Sequence, residues 1–329
     1  MKLISKKLLR VESEGKLSRI KRRSTRVTIG DTLHLPSNLE PKITKLSHLD
    51  CFSQNAPPSP RLLQQCILYS DKNIIVINKP YGLSIKDSGK HSLRLEDYLE
   101  ILKISETDDL RIINHIDQFS TGIVILARTP DIANRLKYYV RSSLETLEYW
   151  GIGIGVPAKS SAKLSTPVTV SLDSSGRQFV RCRPELKKIS PKMYTNCYRY
   201  TYNTCSEYQV MDSFMNKLSL LRMRIILPAK KDTLPAHIAQ LAKTPLVGCT
   251  NYMDHCAVEL RRDAEKLLGK VGRVCLHAKS ILLSLGYASV PIEAPLPEHF
   301  LSACKKVSFD RLTKEVIFNP PPKKRKTII

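Results

Sequence analysis

No apolar run in this 329-residue chain approaches the roughly twenty residues that a membrane-crossing helix needs, so a helical span is excluded by length. A signal-peptide pattern is also missing, and no Cys-x-x-Cys pair occurs among the nine cysteines. Free thiols in a reducing compartment are therefore expected, and the odd count agrees. Cys249, His255, Cys256, Cys275 and His277 crowd into one stretch, but without the spacing of a structural zinc site, so no metal is expected. Acidic residues are scarce: 30 Asp and Glu face 53 Lys and Arg, a formal net charge of +23. A charge of that size, spread along the chain, recruits polyanions, and nucleic acid is the commonest of them. Membranes are not expected as partners.

Charge and composition divide the chain into three parts. Residues 1–66 read as a basic arm and linker. Within residues 1–30, Leu3, Ile4, Leu8 and Leu9 can share one helical face among Lys2, Lys6, Lys7 and Arg10, as in a mitochondrial transit segment, while Glu12 and Glu14 favour a disordered basic arm. Residues 31–66 are rich in Pro and Ser and lack a sustained period. Residues 67–300 carry the periodic segments of a folded domain. Residues 301–329 form a tail whose Pro320-Pro321-Pro322-Lys323-Lys324-Arg325-Lys326 is similar to a nuclear-localisation peptide and reads equally well as an RNA-touching end.

Inside the folded part, Ile67–Tyr69 and Ile74–Asn78 flank a turn at Asp71-Lys72-Asn73 and predict a hairpin. Leu93, Leu95, Tyr98, Leu99 and Leu102 recur at helical spacing behind a cap at Ser92. Thr129-Pro130-Asp131 opens another helix, and Asp232-Thr233 a short one with His237, Ile238 and Leu241. Residues 158–195 read as an insertion or a set of short strands, with strands resuming at 198–204 and 218–227. Gly151, Gly153 and Gly155 lack dinucleotide-loop spacing and mark a strand that something approaches closely. Many antiparallel-looking strands with few helices give an α+β domain on a mixed sheet.

The chemistry concentrates around Asp117. Two short apolar, β-branched runs, Arg111–Asn114 and Ile123–Ala127, read as buried strands that place Asp117 on their connection. A rigid sheet can present such a carboxylate to a ligand, and a turn Asp can equally cap its own backbone. This stretch alone leaves both readings open.

Four matches in order add to it. Asn114-His115-Ile116-Asp117-Gln118-Phe119-Ser120-Thr121-Gly122 resembles the signature loop of the RluA-type pseudouridine synthases, His-Arg-Leu-Asp, two variable residues, then Thr-Ser-Gly. Upstream, Asn78-Lys79-Pro80-Tyr81-Gly82-Leu83 is similar to that family's Asn-Lys-Pro-x-Gly-Leu. Glu148-Tyr149-Trp150, running to Gly155-Val156-Pro157, matches its Tyr-bearing strand. Leu276-His277-Ala278 and Ala294-Pro295-Leu296-Pro297 match its closing segments. The resemblance covers about residues 67 to 300 and is greatest to the family's divergent mitochondrial branch.

The resemblance implies a largely antiparallel mixed sheet with flanking helices and an RNA-binding cleft. It implies conversion of uridine to pseudouridine in ribosomal, messenger or transfer RNA, without a cofactor, because the reaction is an isomerisation with no redox step. The target uridine must leave its stack and a carboxylate must act on it as nucleophile or charge stabiliser. Asp117 takes that part by resemblance, and Tyr149 takes that of the residue stacked on the base. The chain departs from the pattern where the family's His-Arg reads Asn114-His115, and His115 carries the Arg's charge only when protonated. The family's later motif, with an Arg that pairs with the catalytic Asp, aligns with Ala229–Ile238 and has Pro235 at that Arg. Lys230 and Lys231 are nearby substitutes. A monomer in the mitochondrial matrix is expected, the nucleus being the alternative location. The alternative function is a catalytically silent RNA-binding relative that supports mitochondrial ribosome assembly or RNA stability.

Overall fold

The structure, a computed structural model, describes residues 10–13, 16–19, 32–34, 60–85, 93–136, 147–172, 178–186, 199–227, 232–284 and 289–309. The apolar face of Leu3, Ile4, Leu8 and Leu9, the Ser92 cap, Lys230, Lys231 and the basic tail lie outside these residues. The chain divides into two units, Met1–Leu46 and Ser47–Ile329. In the first, β1 (Arg10–Ser13), β2 (Lys16–Arg19) and β3 (Thr32–His34) form an antiparallel sheet in the order β2-β1-β3, with Val11 opposite Ser18 and Leu33. A basic arm and linker were the expectation here. Strands of three and four residues are too short for alternation to be read from sequence.

The strands of the second unit are β4 (Ile67–Ser70), β5 (Ile74–Lys79), β6 (Arg111–Ile112), β7 (Thr121–Ala127), β8 (Glu148–Ile154), β9 (Ser161–Leu172), β10 (Gln178–Cys182), β11 (Arg199–Phe214), β12 (Leu218–Leu227), β13 (Leu276–Ser284) and β14 (Ser289–Glu293). Nine follow the order β10-β9-β11-β12-β8-β13-β7-β5-β4, with β14 beside β13 and β6 beside β7. Every pairing is antiparallel except β13 with β7, where His277 lies opposite Thr121 and Ala278 opposite Gly122. The mixed, largely antiparallel α+β sheet is thus the observed architecture.

Local chemistry sets the hairpin at its start. The Asp71 carboxylate accepts the backbone N–H groups of Asn73 (2.7 Å) and Ile74 (2.8 Å), closing the turn between β4 and β5. The helical spacing at 93–102 becomes a 3-10 turn, Leu95–Tyr98, followed by the helix Leu99–Leu102. Residues 130–136 are helical, and the Thr129 hydroxyl accepts the Ile132 N–H at 3.3 Å as its cap.

Side chains alternate across β8. Trp150, Ile152 and Ile154 pack in one core with Phe300 and Cys304 of the helix Glu298–Lys306, while Tyr149 belongs to the larger core beneath the rest of the sheet. Gly151 and Gly153 face residues 244–247: a Cβ at Gly153 would stand 2.4 Å from the Thr244 methyl, and the Val247 N–H reaches the Ile152 carbonyl at 2.8 Å. These glycines serve a close approach, as the sequence indicated. Leu63 and Phe309 are both buried, so packing extends on either side of residues 67–300.

Candidate active site

Asp117 lies on the loop between β6 and β7. Its backbone carbonyl accepts both the N–H and the hydroxyl of Ser120, at 3.1 and 2.8 Å, which closes a tight turn. The approach to that turn is stapled to β7 by Asn114, whose amide donates to the Ile123 carbonyl (3.0 Å) and accepts the Ile125 N–H (2.7 Å). Asn114, one of the departures from the family pattern, is thus a buried structural anchor. Gly122 follows with φ +110, and a Cβ there would lie 2.2 Å from the Ala278 carbonyl oxygen. Only glycine lets β7 begin against β13.

A second loop, residues 80–83, is locked to the first. The Gly82 N–H donates to the Gln118 carbonyl (3.0 Å), and the Gln118 amide donates back to the Gly82 carbonyl (3.2 Å). The ammonium of Lys79 sits beneath both, wholly buried, and donates to the carbonyls of Pro80 (3.0 Å), Leu83 (2.8 Å) and Gln118 (3.3 Å). Burial pulls it down to about 7, and the nearby Asp117 carboxylate opposes that fall.

A third element meets Asp117 from the other side. Its Oδ1 accepts the backbone N–H of Asp232 at 3.1 Å, and Asp232 caps the helix Thr233–Gln240 in a left-handed conformation, φ 61. The carboxylate therefore rests on the positive end of a helix. Pro235 falls in that helix's first turn, where the N–H it lacks would have no partner within the helix. Backbone amide and helix dipole thus reach Asp117 where the family pattern has a guanidinium. Further along the helix, the buried His237 pairs through Nδ1 with the Ser206 hydroxyl at 2.8 Å, and burial takes it down to about 4.

Tyr149 projects from β8 opposite Met223 and Ala278 and is almost fully buried. Burial pushes its phenol up, and the Asp117 charge adds to that shift, so the two groups share one electrostatic environment. Tyr252, also buried, has its phenol pushed up by burial and by the charges of Asp232 and Asp117. His115 is exposed between buried Asn114 and Ile116. The imidazole of His277, buried and taken down to about 3 by burial, pairs with the Thr121 hydroxyl at 2.7 Å and so steadies the end of the Asp117 loop. Among the described residues no group of three or more His, Cys, Asp or Glu side chains is placed to hold a metal ion. A carboxylate fixed on a doubly locked loop, near a helix terminus and a buried phenol, suits covalent or charge-stabilising chemistry.

Comparison with known proteins bears on this site. The family described as RNA pseudouridylate synthase matches residues 73–232, which span Lys79, the Asp117 loop, Tyr149 and the cap of the helix that meets them. The mitochondrial pseudouridylate synthase RPUSD4 of Danio rerio is 25% identical over 308 residues, covering 85% of this chain and 84% of its own. Ribosomal large subunit pseudouridine synthase C of Rickettsia bellii is 24% identical, covering 84% and 83%. The solved structure of human RNA Pseudouridylate Synthase Domain Containing 4 shares the fold, with a TM-score of 0.60 and 24% identity over 76% of this chain and 95% of its own. Over residues 73–232 the chain is thus similar to the RNA pseudouridylate synthase family.

In the sequence Lys79 stood only as part of a matched motif, and the structure gives it a supporting position beneath the loop. Sequence reasoning did not find the Asp232 amide or Tyr252. Asp232 carried a signal as the start of a helix, but its contact with Asp117 joins positions far apart in the chain. A backbone donor leaves no residue-type signature at all.

Proposed function

We propose that this protein converts uridine to pseudouridine in RNA with Asp117 as the catalytic carboxylate. The observation that carries the reading is the Asp117 carboxylate held on the Lys79-locked loop against the Asp232 amide, beside Tyr149. In the reaction the bond from the ribose to N1 of uracil breaks, the base turns, and a bond to C5 forms. The C5 proton leaves and N1 gains one, so no electrons are exchanged with a cofactor. Asp117 acts at the ribose or the base as nucleophile or charge stabiliser. Tyr149 forms the wall on which the flipped base rests. Its burial keeps the phenol protonated at neutral pH, so it serves as a hydrogen-bond donor rather than as a base. His115, exposed beside the loop, contacts the RNA backbone when protonated.

The catalytic domain is assigned to residues 67–300, extended by the packed segments at Leu63 and Phe309, with the basic stretches of 1–66 and 301–329 outside that packing touching RNA. The substrate is ribosomal, messenger or transfer RNA, the protein acts as a monomer, and it works in the mitochondrial matrix. The net charge of +23 supports RNA as partner, and relatives carrying mitochondrial names support the location.

Pseudouridine mapping of total and mitochondrial RNA from cells with wild-type protein or Asp117→Asn tests the reading. Loss of one or a few sites in the variant, with in vitro activity down on the order of a thousandfold or more, is the expected result. An unchanged map with RNA binding intact would replace the synthase with the silent RNA-binding relative. A tagged protein found only in nuclei would overturn the location.

A further inference from the structure

We propose that Phe119, Tyr81 and Arg273 form a stacking platform for an unpaired RNA base flanking the target uridine, a reading that rests on the synthase assignment. Phe119 stands two residues beyond Asp117 and is 44% exposed, the only aromatic among the exposed large apolar side chains of the described residues. Its ring lies 5.7 Å from that of Tyr81, tilted by 41°. The Arg273 guanidinium lies 5.5 Å from the centre of the Tyr81 ring, and the His299 ring meets Tyr81 edge-on at 5.5 Å. One cationic and three aromatic groups thus make a continuous surface next to the candidate catalytic carboxylate.

The platform is rigid. The Tyr81 hydroxyl accepts the Val274 N–H (3.3 Å), and His299 Nε2 donates to the Val274 carbonyl (3.2 Å), fixing both rings to one residue. The reciprocal bonds between Gly82 and Gln118 hold the loops that carry Tyr81 and Phe119 together. An exposed phenyl ring beside a second ring that carries a cation on its face matches what single-stranded nucleic acid offers: a π-face attached to a phosphate. The formal charge of +23 favours RNA over an apolar protein partner. A nucleotide resting here would hold the flanking strand while its neighbour enters the site at Asp117. Phe119 and Tyr81 fill positions that the Asp-x-x and Pro-x-Gly motifs leave open, so the platform would give this chain its own preference for flanking sequence.

The test uses the full chain and a fluorescein-labelled ten-nucleotide oligouridylate, with anisotropy as readout and the variants Phe119→Ala, Phe119→Leu and Phe119→Trp. Ala and Leu should weaken binding on the order of tenfold, since stacking depends on the ring rather than on bulk. On modified RNA, KM should rise more than kcat falls. Phe119→Trp should keep the affinity and lose indole fluorescence as RNA saturates it, against a constant background from the single native tryptophan, the buried Trp150. Wild-type affinity in both Ala and Leu, or an unquenched indole in Phe119→Trp at saturation, overturns the platform. A wild-type protein that binds no oligouridylate overturns it together with the RNA reading. Modification that survives Asp117→Asn defeats the catalytic assignment alone, because the binding measurement still judges Phe119.

Discussion

In one half of the large sheet, β7 and β8 are buried at every position and β5 at five of six. In the other half, β9 and β11 run for twelve and sixteen residues, with exposed positions recurring along them. The buried half carries Lys79, the Asp117 loop and Tyr149. Its strands are covered on both faces, so a loop leaving them inherits fixed ends, and the remaining freedom is removed by Lys79, Asn114 and the Asp232 amide. The long hairpin half is joined by cross-strand polar pairs such as the hydroxyls of Thr169 and Thr201, 2.9 Å apart. A carboxylate proposed to meet a reacting nucleotide within about tenths of an ångström belongs on the first kind of support.

The contrast can be broken most forcefully at Gly122. Its positive φ, and the Ala278 carbonyl oxygen only 2.2 Å from where a Cβ would stand, leave no room for a methyl group, so Gly122→Ala should lower stability by about 3 kcal/mol or more. Denaturant midpoints would show this, and a loss under about 1 kcal/mol would mean the close contact of β7 and β13 is not a constraint.

Lys79→Met gives a smaller effect with a distinctive pH dependence. The ammonium titrates at about 7 in the folded protein and at 10.5 by its ordinary value, so between these the unfolded chain holds a proton that the folded one has released. Stability from this group therefore rises with pH above 7, by about 1.4 kcal/mol per pH unit at most. The difference between wild type and Lys79→Met, followed by urea unfolding from pH 7 to 8.5, should grow with that sign. A flat difference would show that Lys79 is not titrating beneath the loop.

The least effect is expected in the hairpin half. Thr169→Val removes one hydroxyl of the pair with Thr201 and should cost about 0.5–1 kcal/mol, with unchanged activity. An activity loss here larger than that of Lys79→Met would reverse the comparison.

The same division governs what could be read from the chain. The runs Ile74–Asn78 and Ile123–Ala127 announce buried strands because full burial leaves an unbroken apolar signature. The stretch Ser161–Leu172 carries no such run: Ala162, Leu164, Val168, Val170 and Leu172 alternate with Ser, Lys and Thr, and Pro167 interrupts the pattern, so it read as an insertion or a set of short strands although it forms one twelve-residue strand. Asp117 and Tyr149 were legible as motif residues. Asn114 and Pro235 were legible only as departures, and their roles as staple and first-turn residue emerged from hydrogen-bond geometry.

The sequence by itself determined the apolar strands, the hairpin at Asp71, the helix starts at Thr129 and Asp232, and the family motifs around Asp117, because each rests on residue types within a few positions of one another. Tertiary structure alone decided that the Asp232 amide meets the Asp117 carboxylate, that Lys79 lies beneath both loops, and that Phe119 is exposed against Tyr81 and Arg273. Those contacts join distant segments through backbone groups and ring faces. Such groups take their meaning from where the sheet brings them, which no local pattern of side chains records.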